Sequence, residues 1–128
     1  MKIILSLLLL FFSIFVIISA CAWTSGTLDE LVFPEENVSF LLHVKPFLQW
    51  NCSYSPCHGA TLAGGIGLLE YHNVVAVAGF IDFGNPDGSK FVQILDGRFF
   101  HRDFYRGNIK ENHIQGIRQW IKEGGINN

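Results

Sequence analysis

The residues best equipped for chemistry are two cysteines and a histidine in the run Cys52-Ser53-Tyr54-Ser55-Pro56-Cys57-His58. Paired thiols in an oxidising compartment are used either as a disulfide or as points of covalent attachment. A histidine directly after the second thiol makes a more particular chemistry available. The thiols can add to the vinyl groups of a haem, and the imidazole then arrives beneath the iron. The usual spacing for this encloses two residues, whereas Cys52 and Cys57 enclose four. Two other readings of the motif stay open. The cysteines could close a small disulfide loop with His58 as a bystander. They could instead form half of a zinc site, for which the sequence offers no second Cys pair or His-x-His group.

The compartment is legible at the start of the chain. Lys2 supplies a short positive start, and Ile3 to Ile18 is almost unbroken Ile, Leu, Phe and Val, followed by Ser19-Ala20-Cys21. Residues 1–20 therefore read as a secretory signal peptide. A cysteine directly after Ser-Ala resembles the lipobox of bacterial lipoproteins, which implies that Cys21 becomes the first residue and is acylated. Several acyl chains on one residue would anchor the protein firmly in a membrane. The alternative is an uncleaved helix, but about sixteen apolar residues fall short of a full span. Both readings place the domain in the cell envelope, facing the periplasm or the exterior.

Composition narrows the partners. Loss of Lys2 with the leader takes the formal charge from −2 to −3, one positive charge fewer. That balance lacks the basic footprint of a nucleic-acid binder. With 12 phenylalanines and 3 tryptophans, the chain has rings enough for a very aromatic core or for lining a flat apolar cofactor.

The elements that must position the motif come next. Residues 21–37 read as a lipidated N-terminus and tether, with Thr24-Ser25-Gly26-Thr27 and Pro34-Glu35-Glu36 breaking any periodicity. The domain spans residues 38–128. Phe40, Leu41, Val44, Phe47 and Leu48 recur at helical spacing, with Pro46 placed to kink or split the helix that delivers Cys52. Residues 71–78 suit a short helix or a strand. Asn85-Pro86-Asp87-Gly88 is a turn, after which Ser89 is placed to cap a helix through Leu95. Ile114, Ile117, Trp120 and Ile121 form the stripe of a last helix that Gly124-Gly125 ends. The fold class expected is all-α.

The order of these pieces resembles the small cytochrome c-like domains of bacterial secreted and membrane-bound proteins. In that family a helix ending in Pro-hydrophobic-hydrophobic, here Pro46-Phe47-Leu48, precedes the haem cysteines. The binding histidine is followed by Gly and then a Gly-Gly-hydrophobic run, matched by His58-Gly59-Ala60 and Gly64-Gly65-Ile66. A Gly-Asp-Pro-like turn into a Ser-hydrophobic helix is matched from Gly84 to Val92. The closing helix with Trp120-Ile121 and Gly124-Gly125-Ile126-Asn127-Asn128 completes the series. The resemblance covers residues 38–128. It implies a helical domain wrapped around one covalent haem c, with Cys52 and Cys57 as thioethers and His58 as proximal iron ligand.

The family's distal ligand is usually a methionine before the last helix, but the only methionine here is Met1. In its place stands Arg98-Phe99-Phe100-His101-Arg102-Asp103, and His101 lies eight residues before Ile109, close to the family's interval. His101 is therefore the expected distal ligand, with His72 as its rival. His43 and His113 read as a surface or packing residue and a solvated helix-start residue. A bis-histidine iron has no open position, so the expected role is electron transfer with redox partner proteins, not enzymatic catalysis. The alternatives from other classes are a haem-free interaction module with a Cys52–Cys57 disulfide, and a haem-based ligand sensor. Asp82, Asp87, Asp96 and Asp103 lack the alternating pattern of a calcium loop. Ser53 and Ser55 have no hydrolase elbow around them. Lys90, Arg98, Arg102 and Arg106 read as a solvated face, with Arg98 or Arg102 able to meet a haem propionate.

Overall fold

Pro46 decides the shape of the first helix. It has no N–H to bond back along the helix, and its ring crowds the carbonyl four residues earlier. The chain widens instead. Phe40–Val44 is π-helical and passes into α1, Lys45–Asn51, whose first turn contains Pro46. The computed structural model describes residues 30–54, 57–60, 64–101 and 109–128. The leader, the lipidation at Cys21 and most of the tether lie outside the described residues, as do Ser55, Pro56, Arg102, Asp103 and Arg106.

Three more helices follow: α2 Tyr71–Ala76, α3 Lys90–Leu95 and α4 Glu111–Lys122, with a 3-10 turn at Pro86–Gly88. Among the described residues there is no strand, and none of the helices is long and apolar enough to cross a membrane. Ser89 stands at the N-cap position of α3 without capping it. Its hydroxyl is fully buried, accepting from the Asp82 N–H at 2.8 Å and donating to the Asn85 carbonyl at 3.1 Å. It ties the turn to the helix rather than closing the helix end.

α4 buries His113, Gly116, Ile117, Trp120 and Ile121, a stripe at helical spacing. Its side chains meet those of the first helix: Trp120 lies 5.7 Å from Phe40 and His113 5.6 Å from Phe47, ring centre to ring centre. Two expectations shift here. Leu41 is exposed, because the π turn rotates it off the buried face, and Ile114 is only half-buried. His113 takes the core position and is not solvated. Its Nδ1 accepts from the Lys110 N–H at 3.1 Å, and its Nε2 donates to the Leu31 carbonyl at 3.1 Å. A ring set between a main-chain donor and a main-chain acceptor is neutral, with its hydrogen on Nε2.

The packed chain also reaches ahead of Val38, into residues assigned to the tether. Phe33 is buried, and the Asn112 side chain bonds both its N–H (2.9 Å) and its carbonyl (3.1 Å). Main-chain N–H groups of Asn37 and Val38 donate to the two carboxylate oxygens of Glu123 at 2.8 and 2.9 Å. Farther on, Asn128 accepts from the Leu41 and Phe40 N–H groups and from the Ser39 hydroxyl. These bonds satisfy donors at the start of the first helix, where no intrahelical partner exists.

Two consequences are measurable. The Phe33 ring occupies the space a side chain at Gly116 would need. Gly116→Ala should therefore destabilise the protein by about 1–3 kcal/mol in denaturant melts, against the gain alanine ordinarily brings to a helix. Equal or higher stability would show that Phe33 moves aside freely. Partial burial pushes the Glu123 carboxyl up, but hydrogen bonds from Gln119, Val38 and Asn37 outweigh it and hold the group below its ordinary value. A depressed folded value contributes stability above the unfolded pKa of about 4.3, and that stability is lost as pH falls through the folded value. The stability difference between the wild type and Glu123→Gln should thus be present at neutral pH and shrink in acid. A pH-independent difference in the denaturation midpoint would contradict this.

Candidate functional site

Cys52 sits at the end of α1, its N–H bonded to the Leu48 carbonyl at 2.8 Å. From there the chain closes on itself through main-chain bonds. The Cys57 N–H meets the Tyr54 carbonyl at 2.7 Å, and the His58 N–H meets the Cys52 carbonyl at 3.0 Å. Farther along, Gly64 bonds back to Cys57 at 2.9 Å and Leu68 to His58 at 3.1 Å. Without a helix or strand to order it, this loop is ordered by that ladder. It turns Cys52, Cys57 and His58 to one wall.

The wall belongs to a cavity of about 690 Å³, within the roughly 300–1,000 Å³ usual for ligand and cofactor sites. Ile66 and Leu68 continue the loop side, Val77 and Phe80 close another, and α3 contributes Phe91, Ile94 and Leu95. The segment after α3 is tied back by the Phe99 N–H to the Gln93 carbonyl at 2.8 Å, and brings Phe99, Phe100 and His101 to the cavity. Phe100 is 90% exposed, an unusual place for a ring that lines a pocket.

Four of the residues expected at the site meet here: Cys52, Cys57, His58 and His101. The His58 and His101 ring centres lie 6.0 Å apart, with planes 30° apart. His72 is exposed on α2 and does not line the cavity. His43 packs by its ring against Phe33 and accepts from the Ser39 N–H at 3.0 Å. Among the described residues no group of three or more His, Cys, Asp or Glu is placed to hold a metal ion.

The chemistry open to each group follows from its surroundings. The His58 Nδ1 lies 3.0 Å from the Ile66 carbonyl, which can only accept, so Nδ1 carries the hydrogen and Nε2 keeps its lone pair. Orienting one ring nitrogen in this way is how metal-binding histidines are held. Cys52 and Cys57 are free thiols, with no disulfide between them. Burial, reinforced by neighbouring Cys57, pushes the Cys52 thiol up to about 12. A thiol so protonated at neutral pH is slow in disulfide exchange and a poor metal thiolate.

Two residues of the site carry no mark in the sequence. Asn51 lines the cavity, is 2% exposed, and donates to the Phe47 carbonyl at 3.3 Å, yet its Oδ1 has no hydrogen-bond partner. Lys90 is exposed, as expected of a solvated face, and also lines the cavity. Arg98 is engaged elsewhere, with Asp96 at 2.6 Å and Asp87 at 3.2 Å. These Arg98 bonds hold the Asp96 carboxyl below its usual range, while Asp87 is lowered first by Arg118 and then by Arg98. Asp87 and Asp96 are thus committed to guanidinium groups, while Asp82 accepts from the Asn85 side chain at 2.8 Å. Residue type gave no signal for Asn51 or Lys90, since both are ordinary surface residues until the loop and α3 meet.

Gly64 supplies the test. A Cβ there would stand 2.6 Å from the His58 Cε1 and 2.7 Å from Nδ1. Gly64→Ala should push the ring off the Ile66 carbonyl, and nitrogen NMR of the His58 ring should show the single Nδ1–H tautomer replaced by a mixture. An unchanged tautomer would mean that the loop yields instead. Compared with known proteins, the chain matches no family model, no curated protein and no solved structure.

Proposed function

We propose that the chain is a small covalent haem protein of the cytochrome c kind, carrying electrons outside the cytoplasm from a lipid anchor at Cys21. One juxtaposition carries the reading. The His58 and His101 ring centres lie 6.0 Å apart in an apolar cavity whose wall also presents Cys52 and Cys57. At metal–nitrogen distances of about 2 Å, that spacing is compatible with both imidazoles holding the iron of one haem. The ring-lined walls and the cavity volume fit a flat apolar group, and the unpartnered Asn51 Oδ1 fits a cavity meant to be filled.

When bound, the haem supplies a one-electron iron couple. The chain's own residues do the rest. Cys52 and Cys57 would hold the haem edge by thioethers. His58 would bind the iron through Nε2 while Ile66 holds its Nδ1–H, and His101 would be the second ligand. Phe80, Phe91, Ile94 and Leu95 would exclude water from the ring. Two protein ligands to the iron favour electron transfer to redox partner proteins over catalysis.

The experiment is an absorption spectrum and a pyridine haemochrome of protein made with c-type maturation machinery, for the wild type, His101→Ala and His72→Ala. The wild type and the His72 variant should hold covalent haem with low-spin iron. The His101 variant should become high-spin and gain carbon monoxide binding by the ferrous form. A low-spin His101 variant would remove that residue from the iron. A wild type without covalent haem would overturn the reading.

A further inference from the structure

We infer that Lys90 receives the carboxylate edge of the macrocycle and so sets which way round it lies; this rests on the proposed haem reading. Among the described residues that line the cavity, Lys90 is the single basic chain carrying a permanent charge, and none is Asp or Glu. Its main-chain N–H is anchored to the Gly79 carbonyl at 3.1 Å at the start of α3. From there its stem runs over Gly79, with Cε 4.0 Å from the place a Cβ on that glycine would occupy. The ammonium ends 5.7 Å from the centre of the Phe99 ring, within cation–π reach. The head thus stands at the cavity rim, and among the described residues no carboxylate neutralises it.

Among the described residues, Arg98 is held by Asp96 and Asp87, Arg118 by Asp87 at 2.9 Å, and Lys45 by Glu70 at 3.0 Å. Among the described residues no carboxylate pairs with Lys90. A cation beside an apolar cavity favours an anionic group on whatever fills it. Haem offers two carboxylates, both on the edge away from the vinyl groups. With the vinyl edge at Cys52 and Cys57, those carboxylates come to the opposite rim. The remaining titratable groups facing the cavity are the thiols and His58 at the attachment side, and His101. None of these competes as a fixed positive charge. A flexible ammonium can follow either carboxylate, which a rigid guanidinium fork would do less readily.

The test is a redox titration of the holoprotein over a range of pH for the wild type, Lys90→Gln and Lys90→Arg, with a thermal melt of each. Lys90 is exposed, so the substitutions leave the core intact. Lys90→Gln should lower the midpoint potential, because a cation near the haem disfavours the ferric charge. It should also move the pH inflection of the potential up by about one unit, as a carboxylate loses a neighbouring opposite charge. Lys90→Arg should keep both close to wild type. A Lys90→Gln protein with unmoved potential and inflection, whatever its melting temperature, would overturn the inference. A wild type lacking covalent haem would instead overturn the reading beneath it, so the two failures are distinguishable.

Discussion

The His58 ring is set by a carbonyl and a glycine. The Ile66 oxygen takes its Nδ1–H at 3.0 Å, and Gly64 approaches so closely that a Cβ would lie 2.6 Å from the ring. Both partners come from the same loop, whose described residues form no helix or strand. Its shape depends on the main-chain bonds from His58 to Cys52, Gly64 to Cys57 and Leu68 to His58. The imidazole and the two thiols are therefore fixed relative to one another by local bonds, before the rest of the domain is considered. What the helices add is a frame: α1 delivers Cys52, and α3 with the segment after it supplies the facing wall.

That frame divides the domain's apolar material in two. One part is packed solid, with Phe40, Phe47, Ile117, Trp120 and Ile121 fully buried around the first helix and α4. The other part lines a cavity of about 690 Å³ with aromatic and aliphatic side chains. A chain this short cannot leave so much apolar wall wet without forgoing stabilisation of about 25 cal/mol per Å². A group that fills the space completes the core and stabilises the native state in proportion to how tightly it binds. On the proposed reading, haem attachment and folding are coupled. The N-terminal stretch then matters as well, because Phe33 on Gly116, Asn112 on Phe33 and His113 on Leu31 hold the packed half together while the other half waits to be filled.

Sequence and structure meet best where periodicity or a rigid residue did the work. The last helix was legible from Ile117, Trp120 and Ile121 and its glycine stop, and the interruption of the first helix from Pro46. The pattern misled where a polar residue entered the core: His113 carries no apolar signal, yet two main-chain partners let it replace Ile114 on the buried face. Leu41 misled in the opposite sense, since a π turn changes the period on which it was counted. The packing of Phe33 was not legible, because it is a lone ring among breakers and its burial depends on Asn112 far along the chain. At the site, the thiols and His58 declare themselves by adjacency. His101 could be singled out only by its interval to the last helix, and Lys90 and Asn51 not at all, because nothing local marks a residue whose role comes from a distant wall.

The choice of facing ligand has a physical consequence that runs through the whole molecule. The chain's only methionine is Met1, and the proposed reading takes an imidazole, His101, as the second ligand in place of a thioether. An imidazole donates more strongly to iron and favours its ferric form, whereas a thioether favours the ferrous form. On the proposed reading, His58 and His101 together would therefore hold the potential below that of a His–Met pair. Lys90 acts in the other direction, since a positive charge at the rim favours the less positive iron. Burial by Phe80, Phe91 and Leu95 has the same sense as Lys90, because a low dielectric penalises the extra charge of the ferric state. The working potential would then be set by two imidazoles pulling one way and by a cation and an apolar wall pulling the other, with each contribution assignable to a named side chain.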